Sequence, residues 1–441
     1  MKFIRCTFIL FLALFALLSL AFQPARAQTD TPLALVMNAD GPIMPPMLEY
    51  VKRGIEIADQ RGADVLVIEL NTPGGSIETM LEIIRAIRAS NVPVVVYVAP
   101  KNAIAGSAGA MITMAGHASA MAPETSIGAS SPISSSGENL TTTAETKAKE
   151  ITKASIRPLV TPRGKEALAL AEAMIDEAKA ATADEALAAN LIDFVADDLE
   201  DLLQALDGFT VQMNDGPRTL NTSNVETVSL NMSLIEQFLL FLTDPNIAFI
   251  LLAIGVQAIL IEISSPGGWA AGFIGVACLT LAIYGMGVLP VNWFGIIFLL
   301  TAFILFILDI KAPTHGALTT AGVASFIIGA LVLFNSPGVP QFQRVSVPLV
   351  VATGFAIGLL FMGILVYALR ALKVPVSAGV EALVGKTGTA RTIVEGGGGQ
   401  VQLGSELWSA ESVDTSEPIG KGDRVEVVQV KGLRLKVRKI K

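Results

Sequence analysis

VLVIELNTPGGSIETMLEIIRAIRAS, residues 65–90, passes from a continuous apolar run, through a Pro-Gly-Gly turn, into a segment with apolar residues three and four apart. The run VLVIEL (65–70) suits a strand buried on both faces, and the segment after the turn has the period of an amphipathic helix. The pattern repeats outward. LALVMNA (33–39), VPVVVYVA (92–99) and LIDFVA (191–196) read as further strands, and PPMLEYVKRGIEIADQRG (45–62) reads as a helix. The order β-α-β-α-β predicts one α/β domain over residues 30–210. A Gly-, Asn- and Thr-rich linker is expected at 211–232.

Two short stretches in this domain point to chemistry. NTPGGSIE (71–78) follows a strand and opens a helix, where free backbone N–H groups point outward. Gly74 and Gly75 would let the backbone approach a substrate carbonyl, although a plain strand-to-helix turn favours the same residues. AIAGSAGAMITMAG (103–116) is too short to span a bilayer and rich in small residues. Ser107 stands between Gly106 and Ala108 at what reads as a helix start. Close packing against a sheet explains that; so does a nucleophile with a backbone N–H behind it.

A nucleophilic serine needs a base, and the chain has only two histidines. His117 lies ten residues after Ser107, about 15 Å along the axis if both share a helix, which is beyond direct proton transfer. It reads as a capping or packing histidine. His315 falls between apolar runs, on the far side of a membrane. Lysine remains: an ammonium is a poor base near its usual pKa, but apolar burial frees a neutral amine. The candidates are Lys147, Lys149 and Lys153, in TTTAETKAKEITKASIRP (141–158).

The rest of the chain sets the compartment. Residues 1–27 read as a signal peptide: Lys2 and Arg5 precede an apolar stretch at 8–22, and Ala25-Arg26-Ala27 fits a cleavage site. An uncleaved anchor is the alternative. Cleavage removes Cys6 and leaves Cys278 alone, so no internal disulfide is expected. A net charge of −8 argues against a nucleic-acid partner.

Residues 233–373 read as a transmembrane bundle of about five spans, with apolar runs at 246–263, 269–289, 293–310, 317–335 and 347–369. The segment SLIEQFLLFLTDP before them has the character of an interfacial helix. Lys311, Arg370 and Lys373 fall on the side opposite the α/β domain, as the positive-inside rule asks of the cytoplasm. Residues 378–441 are strand-rich with Gly turns and predict a small β-barrel. Its last eleven residues, KGLRLKVRKIK, hold six basic side chains. They read either as a solvated edge strand or as a surface drawn to anionic membrane lipid.

LNTPGGSIETM, AIAGSAGAMITMAGHASAMAPETSIGASSPI, TADEALAANLIDFVADDLEDLLQALDG and LTDPNIAFILLAIGVQAILIEISSPG occur in this order. On these motifs the chain resembles the long form of the NfeD family, the stomatin-operon partners. The resemblance implies a ClpP/crotonase-like α/β protease domain, a helical membrane bundle and an OB-like barrel. It implies a membrane-anchored serine endopeptidase with a Ser–Lys dyad, cutting apolar segments of membrane-associated proteins outside the cytoplasm. Ser107 takes the nucleophile's place. Matching KAKEITKASIR at Ile156-Arg157 puts the base at Lys147, although Ala148 replaces the family's β-branched residue, and Lys149 stays as second choice. Gly75 and the Ala108 N–H would form the oxyanion hole, with Gly74, Ser126, Ile127 and Gly128 binding substrate. A stomatin-like (SPFH) partner and self-association are implied, and neither metal nor other cofactor is expected. A non-enzymatic membrane scaffold for such a partner is the alternative. A crotonase-like CoA enzyme fits poorly with export away from CoA.

Overall fold

The computed structural model describes residues 32–131, 142–264, 268–312, 314, 316–336, 339–372, 383–395, 398–414 and 417–440. The signal-peptide segment, His315 and Lys373 lie outside them. The first half of the chain runs β1 (Leu33–Asp40), α1 (Pro45–Arg61), β2 (Val65–Asn71), α2 (Ile77–Arg88), β3 (Val94–Val98), β4 (Ile104–Gly106), α3 (Ala108–Ala115), β5 (Ala118–Met121) and β6 (Ser126–Gly128). It continues through α4 (Thr142–Val160), α5 (Lys165–Asp176), β7 (Ala180–Thr182), α6 (Ala183–Ala188), β8 (Phe194–Val195) and α7 (Leu199–Leu206). Three more strands follow: β9 (Thr210–Met213), β10 (Gly216–Thr219) and β11 (Glu226–Leu230).

The main sheet has the order β11-β1-β2-β3-β5-β8 and is parallel throughout. Its central strands alternate between two cores. Leu35, Met37, Leu66, Ile68, Val94 and Val96 face one, while Ala34, Val36, Val65, Val67, Val95 and Tyr97 face the other. Burial on both sides is why these strands read as unbroken apolar runs. The turn after β2 enters α2 through Ser76, whose Oγ accepts the Thr79 N–H at 3.4 Å. This side-chain cap satisfies one of the donors left open at a helix start. A second, smaller sheet, β4-β6-β7, stands beside the first.

The linker expected at 211–232 is corrected here: the segment is folded. β9 and β10 form a hairpin, and β11 adds to the main sheet with Leu33 opposite Glu226 and Met37 opposite Leu230. Tyr50 Oη donates to the Leu230 carbonyl at 2.5 Å. An edge strand buries little, so ETVSL carries polar residues and resembles a linker. The strand expected at 191–196 shrinks to Phe194–Val195, because Leu191 still caps the preceding helix through its N–H to Ala186 O at 2.8 Å.

Helix α8 (Leu234–Phe241) comes next, then α9 (Pro245–Ser264), α10 (Ala270–Val288), α11 (Phe294–Lys311), α12 (Ala317–Phe334) and α13 (Val347–Leu372). α8 opens with a reciprocal cap between Ser233 and Glu236. Glu236 also accepts two bonds from Arg53 of α1, at 2.8 and 2.7 Å. The helix presents Leu234, Ile235, Phe238 and Phe241 outward. Among the described residues, four helices are long and apolar enough to cross a membrane: α9, α10, α12 and α13. The apolar stretch of α11, Phe294–Asp309, is shorter. It ends at Asp309, which is buried and accepts the Thr319 N–H at 3.0 Å.

The last strands are β12 (Thr387–Ala390), β13 (Gly399–Leu403), β14 (Glu406–Ser412), β15 (Arg424–Lys431) and β16 (Arg434–Lys439). They close into a five-stranded barrel, β12-β13-β14-β16-β15, around Val401, Val425, Val427, Leu435 and Val437. In the basic tail, Arg434 pairs with Glu411, Arg438 with Glu426 and Lys439 with Asp423. Those cations face carboxylates of the barrel itself.

Candidate active site

Ser107 lies at the joint between β4 and α3 with φ +50° and ψ −110°, in a region that L side chains rarely adopt. Neighbouring bonds hold it there. Its N–H donates to Gly128 O at 2.7 Å, and its carbonyl accepts Ala110 N–H at 3.1 Å and Ser130 Oγ at 3.2 Å. Strain of this kind costs about 1–3 kcal/mol and persists only where surrounding contacts over-determine it. What it achieves is an Oγ presented at the head of a helix rather than turned into the sheet.

The Gly-Gly turn faces this serine. A Cβ built on Gly74 would lie 2.7 Å from Ser107 Cβ, and one on Gly75 would lie 2.2 Å from Ile43 O. Only glycine permits both approaches. Thr72 pins the turn: its Oγ1 accepts the Gly74 N–H at 3.1 Å, and Ile43 N–H donates to Gly74 O at 2.8 Å. The N–H groups of Gly75 and Ala108 have no hydrogen-bond partner among the described residues. Both border the same cavity as Ser107, about 180 Å³ in volume, with Ile77, Met80 and Met111 supplying apolar walls. Two free N–H groups beside a hydroxyl in an apolar cavity are the parts needed to hold a developing oxyanion.

The other expected site residues fall elsewhere. Ser126, Ile127 and Gly128 form the middle strand of the small sheet, paired with β4 on one side and β7 on the other. They support Ser107 from behind, and the residues that reach the cavity are the next three, Ala129, Ser130 and Ser131. Lys147 lies on the exposed face of α4, makes no hydrogen bond or ion pair among the described residues, and does not border the cavity. α4 meets the cavity through Thr152. Lys149 Nζ binds Asp176 O at 3.1 Å and Glu145 at 2.8 Å, while Lys153 is held by Asp176 and Glu150. Ser107 and the glycines are therefore brought together, and the lysines are not.

His117 is buried as a packing residue. Its Nδ1 accepts the Val94 N–H at 3.0 Å and its Nε2 has no partner among the described residues. Burial, with help from Arg88 and Arg218, pushes its pKa down to about 4. Thr72 and Ser130 were absent from the sequence expectation, although Thr72 stands inside the quoted turn. Phe342 and Gln343, which also line the cavity, carry no local signal at all.

Three family descriptions match the chain in register with its parts: the NfeD1b N-terminal domain at residues 38–216, the NfeD integral membrane domain at 246–367, and the NfeD-like C-terminal, partner-binding domain at 380–439. The membrane-bound protease PH1510 of Pyrococcus horikoshii is 34% identical over 413 residues, covering 91% of this chain and 92% of that protein. The membrane protein NfeD1b of Bacillus subtilis is 25% identical, covering 96% and 97%. Among solved structures, the 1510-N membrane protease specific for a stomatin homolog from Pyrococcus horikoshii is 31% identical, covering 48% of this chain and 99% of that one, with a TM-score of 0.42. Matched through its α/β, membrane and barrel parts alike, the chain belongs to the long-form NfeD family.

Proposed function

We propose that this protein is a membrane-anchored serine endopeptidase in which Ser107 attacks the peptide carbonyl and Lys147 is the general base. The observation that carries this reading is Ser107 itself: a strained serine at a helix head, beside two unpaired N–H groups, in an apolar cavity. The Ser107 hydroxyl gives its proton to a neutral lysine amine as Oγ bonds to the carbonyl carbon. The oxyanion settles between the N–H groups of Gly75 and Ala108. The lysine then passes its proton to the leaving amine, and water hydrolyses the acyl-enzyme. The apolar lining by Ile77, Met80 and Met111 favours apolar segments of membrane-associated proteins. The C-terminal barrel, matching a partner-binding domain, takes a stomatin-type partner.

The exposed position of Lys147 favours a second reading, a scaffold that binds such a partner without cutting. Under the protease reading α4 must turn or shift to bring Lys147 to Ser107, as on assembly with a partner or a second copy. The discriminating experiment labels the full-length protein with a fluorophosphonate and follows cleavage of an apolar peptide. The unmodified protein should label at Ser107 and cut the peptide. Ser107→Ala should do neither, and Lys147→Ala should lose cleavage by several orders of magnitude while Lys149→Ala keeps it. Lys147→Arg should also fail, since guanidinium stays protonated. Loss in Lys149→Ala alone would move the base by two positions. Activity in both lysine variants would remove the dyad.

The topology we propose places the α/β domain outside the cytoplasm and the barrel inside, with all five apolar helices crossing. Support comes from one end of the bundle: Ser346 N–H donates to Asn246 Oδ1 at 2.8 Å and Asn292 N–H to Leu333 O at 2.9 Å. The loop before α13 also borders the Ser107 cavity, as four crossings between residues 245 and 335 require.

A further inference from the structure

The cavity beside Ser107 takes one wall from far along the chain. Pro340, Phe342 and Gln343 belong to the loop between α12 and α13, yet they border the same space as Gly75, Ser107 and Met111. The loop is braced. Asn335 Nδ2 donates to Val345 O at 3.0 Å, Val345 N–H returns to Asn335 Oδ1 at 2.8 Å, and Arg344 Nε binds Val339 O at 2.7 Å. A one-turn 3-10 helix, Gln341–Gln343, sits on these braces.

Gln343 is the polar residue that the loop brings to this wall. It is only 7% exposed, and its side-chain amide has no hydrogen-bond partner among the described residues. A carboxamide offers one acceptor and two donors, the complement of a peptide unit in an extended chain. Phe342 stands next to it, 37% exposed, between this cavity and a neighbouring groove lined by Met44, Leu240 and Phe241.

We propose that Gln343 is a substrate-positioning residue: its carboxamide hydrogen-bonds the main chain of an extended apolar peptide lying across Ser107, and Phe342 packs against that peptide's side chain. The loop before α13 thus adds one wall to the groove of the α/β domain. The substrate class is an extended apolar segment that reaches the site along the face of the bundle, past Leu240 and Phe241. This inference rests on the reading of Ser107 as the nucleophile.

The test uses the full-length protein in lipid nanodiscs, with an apolar fluorogenic peptide and, separately, a small fluorophosphonate. Gln343→Met keeps volume and removes the hydrogen bonds; Phe342→Leu is a second variant that keeps the loop apolar. Gln343→Met should raise KM about tenfold, the worth of one well-made hydrogen bond, with kcat little changed. Phe342→Leu should raise KM in the same direction by a smaller factor. Fluorophosphonate labelling of Ser107 should proceed near the unmodified rate in both, because that probe offers no extended peptide main chain for Gln343 to hold. An unchanged KM in both variants overturns the proposal. So does faster labelling in both, which would make the loop a plug rather than a wall. Failure of the unmodified protein to label overturns the reading of Ser107 first, and is distinguished by appearing without any substitution.

Discussion

A methyl group added at Gly74 would meet Ser107 Cβ at 2.7 Å and Gly106 O at 3.3 Å, at a φ of +115° that L residues rarely adopt. Gly74→Ala should therefore displace the turn from the serine. A shift of about 1 Å at such a site costs on the order of a hundredfold in kcat/KM. Gly62→Ala is the matched control: its φ is +64°, but nothing among the described residues lies within 4 Å of the added Cβ. It should lower stability by about 1 kcal/mol and leave kcat/KM alone. Kinetics and urea unfolding on both variants separate strain from blockage; equal activity in the two would mean the close approach is irrelevant. His117 gives a pH prediction. Its folded pKa, about 4, lies below the ordinary 6.5, so the unfolded chain takes up the proton first as pH falls. The neutral, buried imidazole thus contributes stability that is complete above about pH 6.5 and lost toward pH 4, on the order of 3 kcal/mol in all. His117→Gln should flatten that part of the stability–pH curve; an unchanged slope would mean that other groups carry it.

The elements show a different kind of dependence. α8 is joined to α1 by Arg53, which meets the Glu236 carboxylate with two bonds and the Asn231 carbonyl with a third. The guanidinium holds the Glu236 carboxyl below its usual range, so this contribution too is lost on acidification. Arg53→Met should loosen the segment between β11 and α9 by about 2 kcal/mol. Limited proteolysis should then cut near Asn231 faster than in the unmodified protein; an unaltered cutting rate would show that the packing of Leu240 against the α/β core holds it without Arg53. The central strands and α2 were legible because their burial is written locally, in unbroken apolar runs and three-four spacing. β11 was not, since a strand at the sheet edge keeps its polar residues and its pairing partner lies at the far end of the domain. The SIG strand was legible as a strand but not as a support behind Ser107. Its place depends on two partners, β4 and β7, that meet it only after folding.

For the whole molecule the prediction is topological. Reporters placed after residue 230 and within the loop before α13 should lie in one compartment, and a reporter after residue 440 in the other. If the loop and residue 230 report opposite sides, α11 does not cross and the wall formed by Phe342 and Gln343 cannot exist. By itself the sequence determined the three-part plan, the parallel α/β core, the apolar helices, and the pairing of a Gly-Gly turn with Ser107. Each of these depends on chemistry within a short window: period, turn residues, run length. Only the tertiary structure decided that the linker was a sheet edge, that Lys147 faces solvent, and that Gln343 stands beside the serine. Those facts depend on which distant segments share a surface, and a cavity-lining amide or an outward lysine has the same local sequence as any other.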